Sequence, residues 1–166
     1  MPATAAILEW LYKQEYFPSL SGGQTVEHDP SIPANDTQGV ALLRHARVYT
    51  LAQRFGLPSL SKLAHRKIHS TDSTAAGEIA YARYIYGNTA TGDGEIRRPI
   101  AQFWATRSHV LRHEAEREFR ALCLEFPQFG FDVLSLVLDA QEKRTARQEA
   151  GSQVSAGRKR ARVSQG

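Results

Sequence analysis

Hydrophobic positions recur with helical spacing along most of the chain. Between Val40 and Arg54, residues Val48, Leu51, Ala52 and Phe55 stand at i, i+3, i+4 and i+7, which lines one face of an α-helix. Leu42, Leu43, Ala46 and Tyr49 widen that face and leave a narrow polar stripe of Arg44, Arg47, Thr50 and Arg54, so the pattern predicts a helix buried over most of its circumference. Gly56 can end it in a left-handed conformation, and Pro58 suits the first turn of a successor. The period restarts with Leu60, Leu63, Ala64 and Ile68, giving a helical corner whose angle is expected to be set by Phe55, Leu57 and Leu60.

The rest of the chain reads in the same way. Residues Ala3 to Tyr16 predict a short helix with Ile7, Leu8, Leu11 and Tyr12 on one side and Trp10 adding apolar surface; so short a helix needs later elements to dock on. Residues 17–39, rich in Pro, Gly, Ser, Asp and Asn, predict a loop, with Asn35 or Asp36 capping the central helix. Asp72 or Ser73 is the expected cap of a helix carrying Ala75, Ala76, Ile79, Ala82, Ile85 and Tyr86, and residues 88–94 form a second loop. From Glu95 a long pattern with Pro99 in its first turn carries Ile100, Phe103, Trp104, Leu111, Ala115, Phe119, Leu122 and Phe126, with a break expected near Ser108 and His109. Pro127 precedes an apolar segment from Phe129 to Leu138, beyond which a helix runs out into solvent. No strand pattern of useful length appears, so the fold class is all-α, an irregular multi-helix array. It divides into a helical region over 1–87 (loop 17–39), a helical extension over 95–147 packed on it, and a basic tail over 148–166 expected to be disordered from Gly151 onward.

Composition narrows this reading. A chain of 166 residues with 42% hydrophobic content supports one domain with a core and a tail. No apolar run reaches the ~18 to 20 residues of a membrane span. Glu9 interrupts the apolar N-terminal run, so neither a span nor a signal peptide is expected. The single Cys123 cannot form an internal disulfide, which fits the nucleus or cytoplasm. The net charge of +4 maps to one place: residues 142–166 hold seven basic and two acidic side chains, hence +5, which leaves −1 for the remainder. A folded body near neutrality argues against nucleic acid as its partner except through the tail.

Few residues have the makings of chemistry. His65/His69 and His109/His113 are i, i+4 pairs that place both imidazoles on one helix face, as a zinc site requires, but neighbouring Arg66, Lys67, Arg107 and Arg112 oppose a dication and no Cys or carboxylate stands at a confirming spacing. They read as surface histidines, and no metal or cofactor is assigned. Cys123 sits in an apolar helical run and reads as packing, not as a nucleophile. Gly22-Gly23 and Gly92-Asp93-Gly94 are turns, because no Gly-Lys-Ser/Thr follows. Tyr81, Tyr84 and Tyr86 read as helix packing. Arg158, Lys159, Arg160 and Arg162 resemble a short nuclear-import signal.

The segment Val48-Tyr49-Thr50-Leu51-Ala52-Gln53-Arg54-Phe55-Gly56-Leu57-Pro58-Ser59-Leu60 resembles the Val-Tyr-x-Leu-Ala-x-x-Tyr/Phe-Gly/Asp-Ile/Leu-Pro-x-Leu segment joining the last two helices of fungal-type BTB (POZ) domains. Trp10 to Tyr16 is similar to the family's Leu-Tyr-Thr-Gly-x-Tyr segment, with Lys13-Gln14 in place of Thr-Gly. The resemblance covers Ala6 to Tyr86, and the helices beyond look like those that follow the domain in fungal members. It implies a non-enzymatic protein–protein interaction module without catalytic residues or cofactors, often dimeric, of a kind that presents substrates to cullin-type ligases or serves transcriptional regulators. The strand-rich first half of the family's domain is expected to be absent. That puts dimerisation and cullin binding in question and implies an apolar surface suited to self-association. The alternative is a small nuclear or nucleic-acid-associated protein acting through its basic tail.

Overall fold

The computed structural model describes residues 3–22, 25–33 and 35–160, with side chains placed except over 108–112 and 151–160. The fold is all-α. Among the described residues there are seven helices: α1 (Ala3–Lys13), α2 (Val40–Arg54), α3 (Pro58–His69), α4 (Ala75–Asn88), α5 (Gly94–Glu114), α6 (Glu116–Glu125) and α7 (Pro127–Arg160). The loop between α1 and α2 contains a minimal antiparallel hairpin, β1 (Leu20–Ser21) with β2 (Thr25–Val26), which pairs Leu20 with Val26 and Ser21 with Thr25.

Helix α2 is the centre, as its sequence predicts. It packs on α1, α3 and α4, while α7 packs on α5 and α6. Leu42, Ala46, Val48, Tyr49 and Ala52 are all buried, and so is Leu60 across the corner. One continuous core joins these residues to Ile85, Ile96, Trp104, Leu122 and Phe129, so the extension shares its interior with the first four helices. Gly56 takes φ 64° and Pro58 opens α3, but Phe55, expected inside the corner, is 63% exposed. As the last residue before the left-handed turn, its side chain leaves the buried face, and Leu57 half-buries in its place.

The caps differ from those expected. Gly39, at φ 66°, is the residue that begins α2, because an ideal Cβ there would lie 2.8 Å from the Gly77 carbonyl oxygen, where α2 and α4 meet. Asp36 still serves the helix end: its two carboxylate oxygens accept the Val40 and Ala41 N–H groups at 2.9 Å each. Helix α4 is capped by Thr74, not by Asp72 or Ser73. The Thr74 hydroxyl accepts the Gly77 N–H and donates to the Asp36 carbonyl, which ties two helix starts together. A Gly39→Ala substitution is expected to lower stability by about 2 kcal/mol, combining the cost of positive φ with overpacking against backbone. Thermal denaturation reads it, and an unchanged midpoint would contradict the close approach.

Helix α5 runs unbroken through Ser108 and His109 and stops at Ala115, whose φ −139° and ψ 43° leave the helical region. Neither Ser nor His removes a backbone donor, so nothing local forces an earlier stop. The break falls where α6 turns back to bring the Phe119 ring 5.8 Å from that of Phe129. Pro127 then excludes helix at Phe126, and α6 meets the start of α7 at a bend of 112°. Helix α7 continues to Arg160, past Gly151, where disorder was expected, and no proline interrupts it. No single helix among the described residues is long and apolar enough to cross a membrane.

Candidate interaction surface

Helix α1 is apolar on nearly all sides, and periodicity places Ile7, Leu8, Leu11 and Tyr12 together on its inner face. The structure buries Ala6, Ile7 and Trp10 and leaves Leu8, Leu11 and Tyr12 exposed by 60%, 52% and 90%. This rotates the inner face from the one expected. The outer residues, at i, i+3 and i+4, form one patch that the fold does not cover.

A buried polar network holds α1 in that orientation. Lys67 on α3, fully enclosed, donates to the carbonyls of Tyr16 and Pro18 and pairs with Glu15 Oε1 at 2.5 Å. Its Nζ also stands 3.7 Å from the centre of the Tyr16 ring. The Tyr16 hydroxyl bonds His45 Nδ1 on α2 at 2.9 Å, and Glu9 Oε2 accepts the Phe17 N–H at 3.0 Å. Arg44, expected in an exposed polar stripe, is paired with Asp29 in the loop; Ser31 hydrogen bonds hold the Asp29 carboxyl down at about 2. None of this network was legible in the sequence, since its members lie up to 51 positions apart.

Buried bases and acids here act in opposite senses. Burial, reinforced by the charges of Lys67 and Arg44, pushes His45 down to about 3 from 6.5. The stability this histidine contributes is therefore complete above pH 6.5 and lost as pH falls towards 3. On α4, burial raises the Glu78 carboxyl from 4.5 to about 7 against the Arg107 charge and a hydrogen bond from Ser73. Its contribution is complete below pH 4.5 and lost as pH rises through 7. A Glu78→Gln variant is expected to gain on the order of 2 kcal/mol relative to the parent across that window. Urea midpoints taken at both ends check it, and a pH-independent difference would contradict the burial of this carboxyl.

Glu78 lines a cavity of about 360 Å³ with Tyr81, Arg107, His69, Asp72 and Phe103. Its walls combine two carboxyls, a guanidinium and a phenol, whose hydroxyl burial and the Glu78 charge push upward. The His65/His69 pair shares one face as its spacing predicts, with Nε2 atoms 3.2 Å apart. His65 has another task. Pro99 cannot donate to the Glu95 carbonyl, and His65 Nε2 lies 3.2 Å from that oxygen, so it must carry the proton and fill the missing bond. A nitrogen committed in this way is not free to bind a cation, and no group of three or more ligating side chains occurs among the described residues. The side chain of His109 lies outside the described residues, and His113 is exposed.

Cys123 is half-buried beside Gly130, and burial pushes its thiol upward, away from the reactive thiolate. Tyr86 packs on Phe129 and donates to Asp132 at 2.7 Å, while Tyr84 bonds Thr50 at 2.8 Å, so both serve packing. Gly22 lies in the hairpin turn and Gly92 precedes α5. Arg158, Lys159 and Arg160 stand on the last turn of α7, and Arg162 lies outside the described residues. Taken together, the fold defines a small all-α protein with an uncovered apolar patch on its first helix. Comparison with known protein families, curated proteins and solved structures returned no match.

Proposed function

We propose that this chain is a non-enzymatic protein–protein interaction module of the BTB (POZ) type, acting as an adaptor or transcription-associated scaffold in the nucleus or cytoplasm. The observation that carries the reading is the exposure of Leu8, Leu11 and Tyr12 on a helix whose orientation a buried network enforces. A rigid, aromatic-containing apolar patch on an ordered helix is the kind of surface partners dock on. The buried Val48, Tyr49, Ala52 and Leu60 and the Gly56–Pro58 turn agree with the scaffold role that the resemblance gives this corner.

Affinity capture with mass spectrometry tests it, using the full chain beside a Leu8→Asp/Leu11→Asp variant. Both positions are more than half exposed, so the fold should survive, as circular dichroism would check. A protein recovered by the parent and lost from the variant supports the reading, and identical recoveries overturn it. The rival reading, action through the basic tail, draws on the charge of +5 carried by residues 142–166. Deleting residues 151–166 abolishes nuclear retention and polyanion binding under that reading, and leaves partner capture intact under the first.

A further inference from the structure

Helix α7 has two apolar faces. Phe129 and Val133 look into the core, whereas Phe131, Leu134 and Leu138 are exposed by 64%, 56% and 48% on the opposite side. These three follow a spacing of three then four, the seam of a two-stranded coiled coil. Gln141, Thr145 and Gln148 continue that seam along the exposed part of the helix. From Asp139 to Arg147 every side chain is exposed, so burial does not hold this stretch helical. A solitary helix of this length is marginal in water.

We propose that the uncovered occupant of this seam is the α7 helix of a second copy, laid parallel and in register. Charge complementarity identifies the occupant. With Phe131, Leu138 and Thr145 at the first seam position, Arg144 and Glu149 fall on the two flanks, five residues apart. In a parallel pair that offset brings Arg144 of one chain to Glu149 of the other, and the twofold axis repeats the contact. The other flank positions, Ser135, Val137 and Glu142, add no like-charge opposition. The seam faces away from each protomer's own core. This pairing is independent of the α1 patch.

Sedimentation equilibrium of the full chain, from micromolar to submillimolar concentration, tests the proposal. The mass should move from 18.5 kDa towards twice that value. A Leu134→Asp/Leu138→Asp variant should stay monomeric with an unchanged thermal midpoint for the body. Arg144→Glu should weaken association about tenfold at low salt, and adding Glu149→Arg should restore it. Orientation is read separately: Thr145→Cys in a Cys123→Ala background should cross-link under mild oxidation. An antiparallel pair centred on Leu134 would hold those positions about 33 Å apart. A parent that remains monomeric throughout overturns the proposal and leaves the seam to solvent or a different protein. A dimer that survives the Leu134/Leu138 change, or one that does not cross-link, overturns it as well.

Discussion

Replacing Lys67 with methionine is expected to lower stability by about 3 kcal/mol or more, a large share of the roughly 5 to 15 kcal/mol typical of a domain. The ammonium is fully enclosed and satisfies two main-chain carbonyls, those of Tyr16 and Pro18, together with the Glu15 carboxylate. Burial drives the lysine downward, and the Glu15 hydrogen bond and charge oppose it, so the charge is tolerated only while that shell is complete. Methionine fills the volume but donates nothing. Glu15 is one-third exposed and can recover water, which tempers the cost, whereas the carbonyls cannot. Urea denaturation should show a lower midpoint at unchanged slope. A loss smaller than about 1 kcal/mol would mean that the loop after α1 is not fastened through this residue. Because the same contacts orient α1, the variant should also capture partners less well.

Trp104 is the second place where a large effect is expected. It is wholly buried, with ring centres of Phe119 at 5.2 Å and of Phe103 and Phe129 at 6.3 Å, so it joins α5, α6 and α7. Trp104→Ala should cost about 4 kcal/mol through lost transfer energy and the cavity left behind. Yet its indole Nε1 is buried without a hydrogen-bond partner, a penalty of about 1 to 3 kcal/mol already present in the parent. Trp104→Phe removes that orphaned donor along with some volume, and the two changes offset. It should therefore lie within about 1 kcal/mol of the parent. Chemical denaturation of the two variants side by side checks this. A loss well above about 1 kcal/mol for Trp104→Phe would show that the N–H is satisfied after all.

Legibility varied from element to element for physical reasons. The α2–α3 corner could be read because Gly56 and Pro58 act locally, and because Val48, Tyr49 and Ala52 repeat at helical spacing with one side plainly apolar. Periodicity assigns helix α1 the wrong inner face, since Leu8, Leu11 and Tyr12 are as apolar as the residues actually buried. The stop at Ala115 was hidden for a different reason: alanine favours helix, and the turn there serves to bring Phe119 of α6 to within 5.8 Å of the Phe129 ring. His65 and His69 showed their shared face by spacing, but the use of His65 to complete the carbonyl that Pro99 leaves open depends on α5 lying beside α3.

Periodicity and local backbone chemistry by themselves determined that this is an all-α protein built on a buried central helix, with its basic charge gathered beyond Glu142. These are consequences of i, i+4 spacing, glycine and proline, which act over a few residues. Only the tertiary structure decided which side of α1 faces outward, that Lys67, Tyr16 and His45 close a buried polar network, and that α7 carries a second apolar stripe back to back with its core face. Those outcomes arise from contacts between elements far apart in the chain, where burial and hydrogen bonding choose among faces that local patterning leaves nearly equal.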